Sequence, residues 1–195
     1  RRRGRLVMLE TVREFAVDEL DRAGEADCGR AAHGAYYLAL AESAGGDVLV
    51  DLAHLLADPE APVRVSAARA VSVHGREGGI PLLHLKALAG DAEPRVVSEC
   101  LLALLRLDPE GSLPFVVSFF DRGDAAAEAA ATALGESRRA EALPPLRDWL
   151  DRASRRGLAR VALFAIASLR RDEAVDLLLS LAQSEPGPLA REALS

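Results

Sequence analysis

The side chains able to do chemistry are few, and none falls into a working pattern. Four histidines, His33, His54, His74 and His84, could ligate a metal, and His74 and His84 would meet, with Glu77 nearby, if a turn brought them together. A metal centre wants three or four ligands at fixed spacing, and no such set is present. Cys28 and Cys100 form no disulfide framework, and neither has a histidine partner at a known nucleophile spacing. No Gly-x-Ser-x-Gly elbow occurs. The acid pair Asp172-Glu173 opens a helix, where negative charge complements the helix dipole. A phosphate-binding loop needs a lysine and a hydroxyl after a glycine run, to neutralise phosphate and hold Mg²⁺. The one lysine, Lys86, follows no such run. The expectation is therefore no enzyme: no catalytic residues, no cofactor and no metal.

Arginine is the remaining candidate. The chain has 23 Arg, no Asn and one Gln, which reads as codon bias. Arg138-Arg139, Arg152, Arg155-Arg156 and Arg170-Arg171 fall in turns, and a nucleic-acid interface could use them. Glu136, Glu141, Asp148, Asp151, Asp172 and Glu173 lie among them and cancel their charge. The net charge is −6, and residues 47–135 carry 13 acidic side chains against 7 basic ones. Binding to nucleic acid is disfavoured on that balance. Arg1-Arg2-Arg3-Gly4-Arg5 reads as a solvated end.

These side chains must be placed by helices. Ala occurs 37 times and Leu 32 times in 195 residues, while aromatics make up 4%. Such a composition is too poor in β-branched and aromatic residues for an all-β fold and too apolar for disorder. No apolar run reaches the ~20 residues of a membrane span. With no signal-peptide pattern and only two cysteines, a cytoplasmic setting fits best.

The chain repeats. Asp58, Asp91, Asp121 and Asp151 are spaced by 33, 30 and 30 residues. Pro81, Pro114 and Pro144 are spaced by 33 and 30, and Val71, Leu104, Leu134 and Leu169 by 33, 30 and 35. Each apolar residue of the first three lies 10 before its proline. Interlocked series with one period mean a repeated unit. Each unit reads as two helices, the first ending near an Asp-containing turn. The second helices are expected at about Val63 to Val73, Val96 to Leu107, Asp124 to Leu134 with Gly135 ending it, and Leu158 to Leu169. Ala67, Cys100, Ala130 and Ala165 are small residues at equivalent second-helix positions, where they let neighbouring helices approach. A single helix pair cannot bury its apolar face, but a stack can. The expected architecture is all-α: residues 1–46 a separate N-terminal piece, residues 47–195 four helix pairs and a truncated fifth. Phe115, Phe119, Phe120, Trp149 and Phe164 read as core, with one of the adjacent pair Phe119-Phe120 partly exposed.

Two resemblances follow from these strings. Asp58-Pro59 followed by Val63-Arg64-Val65-Ser66-Ala67-Ala68-Arg69-Ala70-Val71 resembles the second helix of a HEAT repeat. Ala133-Leu134-Gly135 before Ala142-Leu143-Pro144-Pro145-Leu146 is similar to the junction between bacterial HEAT-like units of the PBS-lyase type. The likeness covers about residues 47–195 and implies an α-solenoid. It departs where the family's arginine after Val63 becomes Val97, Ala127 and Ala162, so only Asp58 and Arg64 keep both partners of an Asp–Arg ladder. A bilin lyase is a further member class, but no cysteine or acid constellation supports it.

In the N-terminal piece, Leu9-Glu10-Thr11-Val12-Arg13-Glu14-Phe15-Ala16 and Arg30 to Glu42, with His33, Tyr36 and Tyr37, resemble the winged-helix-to-repeat junction of STAND-class signalling ATPases and regulators. The resemblance implies an upstream ATPase core in a longer chain and a repeat array used as sensor or protein-binding module. The expected partner is a protein or peptide on a concave face of second helices. That face is assigned to Val65, Arg69, Ser98, Leu102, Glu128, Thr132, Leu163 and Ala167, two and six places after each layer start.

Overall fold

Val48, Leu49, Leu52, Leu55 and Leu56 recur at helical spacing, and they form α1, Val48–Leu55, with Leu52 and Leu56 buried. The computed structural model describes residues 48–74 and 78–183. Residues 1–46, with the expected strand at Arg5 to Met8 and the helices up to Ser43, lie outside the described residues, as does the expected break at Ser184 to Pro188.

After α1 the Asp58 carboxylate accepts the backbone N–H of Glu60 at 2.8 Å, an Asx turn that leads into α2, Ala61–His74. The device recurs 33 residues later. Asp91 accepts the N–H of Glu93 at 2.9 Å between α3, Gly79–Ala89, and α4, Pro94–Leu107. Gly90 ends α3 at φ +75°, a backbone region that favours glycine, and Pro94 opens α4, where its missing N–H costs nothing. Asp108 caps α5, Pro109–Ser118, by accepting the N–H of Gly111. A 3-10 turn, Phe119–Asp121, leads to α6, Asp124–Ser137, and a second, Ala140–Ala142, to α7, Leu143–Arg155. Helices α8, Ala159–Ser168, and α9, Asp172–Gln183, complete the described chain. Among the described residues the fold is all-α, with no strand. No described helix is long and apolar enough to cross a membrane.

Alternate helices pack closely on one another. Helix α2 packs on α4, α4 on α6 and α6 on α8, while α1, α3 and α7 flank their own partners. The small residues explain the close approach: Ala67, Cys100, Ala130 and Ala165 are all buried at these contacts. Val71, Leu104, Leu134 and Leu169 fill the layers and are buried to 1% exposure or less, which contributes ~1.5–3 kcal/mol for each larger side chain.

Several expectations change. Gly135 does not end α6, which continues to Ser137. A Cβ there would stand 2.5 Å from the backbone oxygen of Ala165, so the glycine is required by helix contact rather than by a turn. Gly75 and Gly78-Gly79 read in the sequence as the end of α2, but Gly79 is the first residue of α3. Asp151 lies inside α7, not in a turn after it. Phe119 and Phe120 are both buried, because the tight turn sends adjacent side chains apart. Phe119 meets Phe115 edge-on at 5.2 Å, and Phe120 stacks on Trp149 at 4.5 Å. Phe164 is not core; it is 71% exposed.

Candidate protein-binding face

The second helices carry the face expected to meet a partner, and burial divides its residues. Arg69, Glu128 and Ala167 are exposed, and Thr132 is half-buried, its hydroxyl donating to the Glu128 carbonyl at 2.9 Å. Val65, Ser98, Leu102 and Leu163 are buried. Helix α4 is the extreme case: every residue from Val96 to Leu105 is buried, because α2 and α6 cover it on both sides and α3 and α5 close the rest.

Ion pairs tie the units together. Arg64 donates from Nη1 to the carbonyls of Asp58 and Pro59, at 2.8 and 2.9 Å. Its Nη2 and Nε reach forward to both Asp91 oxygens, at 2.7 and 2.8 Å. The Asp–Arg contact is thus made with the next unit's carboxylate, while Asp58 contributes its backbone. Lys86 adds a second cation to Asp91 at 2.8 Å, which gives the single lysine a structural role. The Arg64 hydrogen bond, with help from Lys86, holds the nearly buried Asp91 carboxyl well below the usual range. Arg69 makes a paired contact with buried Glu99, at 2.8 and 3.2 Å, and Arg106 approaches the same carboxylate at 3.4 Å.

At the other end the direction reverses. Arg152 reaches back to Asp121 at 2.8 Å, and Arg156 pairs with Asp124 and donates to the Phe120 carbonyl at 3.1 Å. Arg139 lies 3.4 Å from Glu141 and Arg171 3.6 Å from Glu173. Much of the arginine seen in the sequence is therefore spent on neighbouring acids.

Two of the side chains with catalytic potential are packed against neighbours. Burial pushes the Cys100 thiol up to about 12, so it is not a nucleophile at neutral pH. His84 lays its ring against Phe115, with centroids 4.1 Å apart. Among the described residues no three His, Cys, Asp or Glu side chains gather as a metal site.

One surface feature escaped the sequence reading. Phe164 and Ser168 of α8 face a groove of about 520 Å³ whose other walls are Arg106, Glu136, Arg138 and Arg170. Arg138 and Arg170 follow the C-termini of α6 and α8 in the left-handed conformation, at φ 54° and 52°. The signal for the groove was the spacing of these arginines past successive second helices, hidden by the acids beside them in sequence. No protein-family model matches this chain, and a comparison with curated proteins returns no match.

Proposed function

We propose that residues 47–195 are an α-solenoid of HEAT-like helix pairs serving as a non-enzymatic protein-interaction or sensor scaffold. The observation that carries this reading is the chain-order packing of α2, α4, α6 and α8. Close spacing of second helices, with first helices further apart, bends such a stack towards the second-helix side. A concave face there offers Arg69, Glu128, Thr132 and Ala167 to a protein or peptide over several units at once. The resemblance of Leu9 to Ala16 and Arg30 to Glu42 supports the larger assignment: the C-terminal part of a cytoplasmic STAND-type signalling ATPase or regulator, its nucleotide site upstream. Nucleic acid is the weaker reading, because Arg139, Arg152, Arg156 and Arg171 are engaged by acids.

The test is position-specific photo-crosslinking in cells. A photoreactive residue at Thr132 or Ala167 is expected to give discrete protein adducts, and one at exposed Leu85 or Arg147 on first helices is not. Adducts only at the first-helix positions, or adducts removed by nuclease, would overturn the proposal.

A further inference from the structure

The groove at the C-terminal edge of α4, α6 and α8 combines an uncompensated positive charge with an exposed aromatic ring. Its charged groups can all be named. Arg106 leans on Glu99, Glu136 acts on Arg69, and Arg138 and Arg170 have no ion-pair partner among the described residues. Three arginines and one glutamate thus line the groove, in a chain whose net charge is −6. Phe164, 71% exposed, lines the same groove as the unpaired cations. The Ser168 hydroxyl, also in the lining, donates to the Phe164 carbonyl at 2.8 Å. The two arginines also occupy a left-handed backbone region that non-glycine residues rarely adopt. Glycine is the usual residue at such a helix end.

From this combination we propose that the groove binds an acidic peptide segment of a partner protein, whose carboxylates pair with Arg138 and Arg170 while an apolar side chain rests on Phe164. The proposal deepens the interaction reading above and rests on it. An exposed aromatic ring sharing a groove with two forked cations suits an acidic and apolar peptide. A duplex would instead need phosphate contacts along an extended basic track, as in binders that make 6–10 of them. Here two free guanidinium groups occupy a pocket large enough for only a few side chains.

The experiment uses the full chain and a fluorescein-labelled peptide of glutamates flanking one phenylalanine, followed by anisotropy. Its counterpart with glutamine for glutamate is expected to bind at least tenfold more weakly. Arg138→Gly with Arg170→Gly removes both charges while relieving the backbone, so folding is retained, and binding should fall at least tenfold. Phe164→Ala should lower it about fivefold. Arg147→Glu with Arg155→Glu, both exposed on α7 and outside the groove lining, should leave it within threefold. Equal binding of the two peptides, or no loss in the glycine double variant, overturns the assignment, and so does tighter binding of single-stranded DNA of matched charge. Photo-adducts at Thr132 that persist in the glycine double variant, together with absent peptide binding, would overturn this site while the scaffold reading stands.

Discussion

Asp91→Ala removes the carboxylate on which Arg64, Lys86 and the Glu93 N–H converge. Breaking a buried ion pair from one side typically costs about 3–5 kcal/mol, because a charge is left without compensation. Here the lower end applies. Arg64 keeps two carbonyl acceptors, and the Lys86 side chain, 20% exposed, can turn to water. A loss of about 3 kcal/mol corresponds to a fall in Tm of about 6–12 °C for a chain of this size. The affected contact joins α2 to the turn before α4, so hydrogen exchange should rise first across residues 48–74. The pH dependence has a definite sign. Asp91 is held below its unfolded value, so its contribution is complete above that value, about 4, and is lost as the pH falls through the folded value. Wild-type protein should therefore lose stability below about pH 5 more steeply than Asp91→Asn. Denaturant unfolding followed by circular dichroism, with the Arg64→Met and Asp91→Ala double-mutant cycle, measures the coupling. A cost under about 1 kcal/mol, the size of a surface pair, would refute the reasoning.

Three further outcomes are expected. Gly135→Ala should destabilise by about 1–3 kcal/mol, since its Cβ overlaps the Ala165 backbone oxygen, and an unchanged denaturation midpoint would contradict that contact. In a Cys28→Ser background, Cys100 should resist a thiol reagent at pH 8 until denaturant is added; fast native labelling would mean that the α2–α4 contact opens readily. Phe164→Ser should change stability by no more than about 0.5 kcal/mol, whereas Phe120→Ala should cost about 3–5 and shift the emission of Trp149, on which Phe120 stacks.

The repeat made the layers legible. Val71, Leu104, Leu134 and Leu169, and the small residues Ala67, Cys100, Ala130 and Ala165, were assignable from period alone and are all buried. The same arithmetic misjudged local geometry wherever a unit departs from its neighbours. Asp151 keeps the period of Asp58 and Asp91 but lies inside α7, because this unit is longer, with 35 residues from Leu134 to Leu169 against 30 from Leu104 to Leu134, and the helix runs on to Arg155. Phe119 and Phe120 depend on a turn type that apolar spacing does not encode. The proposed face was only half accessible because α4 has neighbours on every side, which a helical wheel cannot show. The groove stayed hidden because pairing depends on space: Arg139 and Arg171 contact the nearby acids, and Arg138 and Arg170 do not.

The reversal of the ionic contacts gives the molecule uneven mechanical compliance. Arg64 and Arg69 tie the first helix pair to the second through largely buried carboxylates, and Arg152 and Arg156 bridge the fourth to the third through exposed ones. Among the described residues no ion pair crosses from 79–107 to 109–137; that joint is held by apolar side chains such as Leu101, Leu105, Ala127 and Ala131 and by the His84–Phe115 ring contact. Apolar contact is non-directional, so it resists separation more than it resists sliding or tilting. Two stiff levers joined at a greased pivot would concentrate strain at the middle under a load applied at either end. Spin labels at Ala57 and Arg147 should then report a broader distance distribution than a pair placed within one lever, and equal widths would argue for a uniform spring.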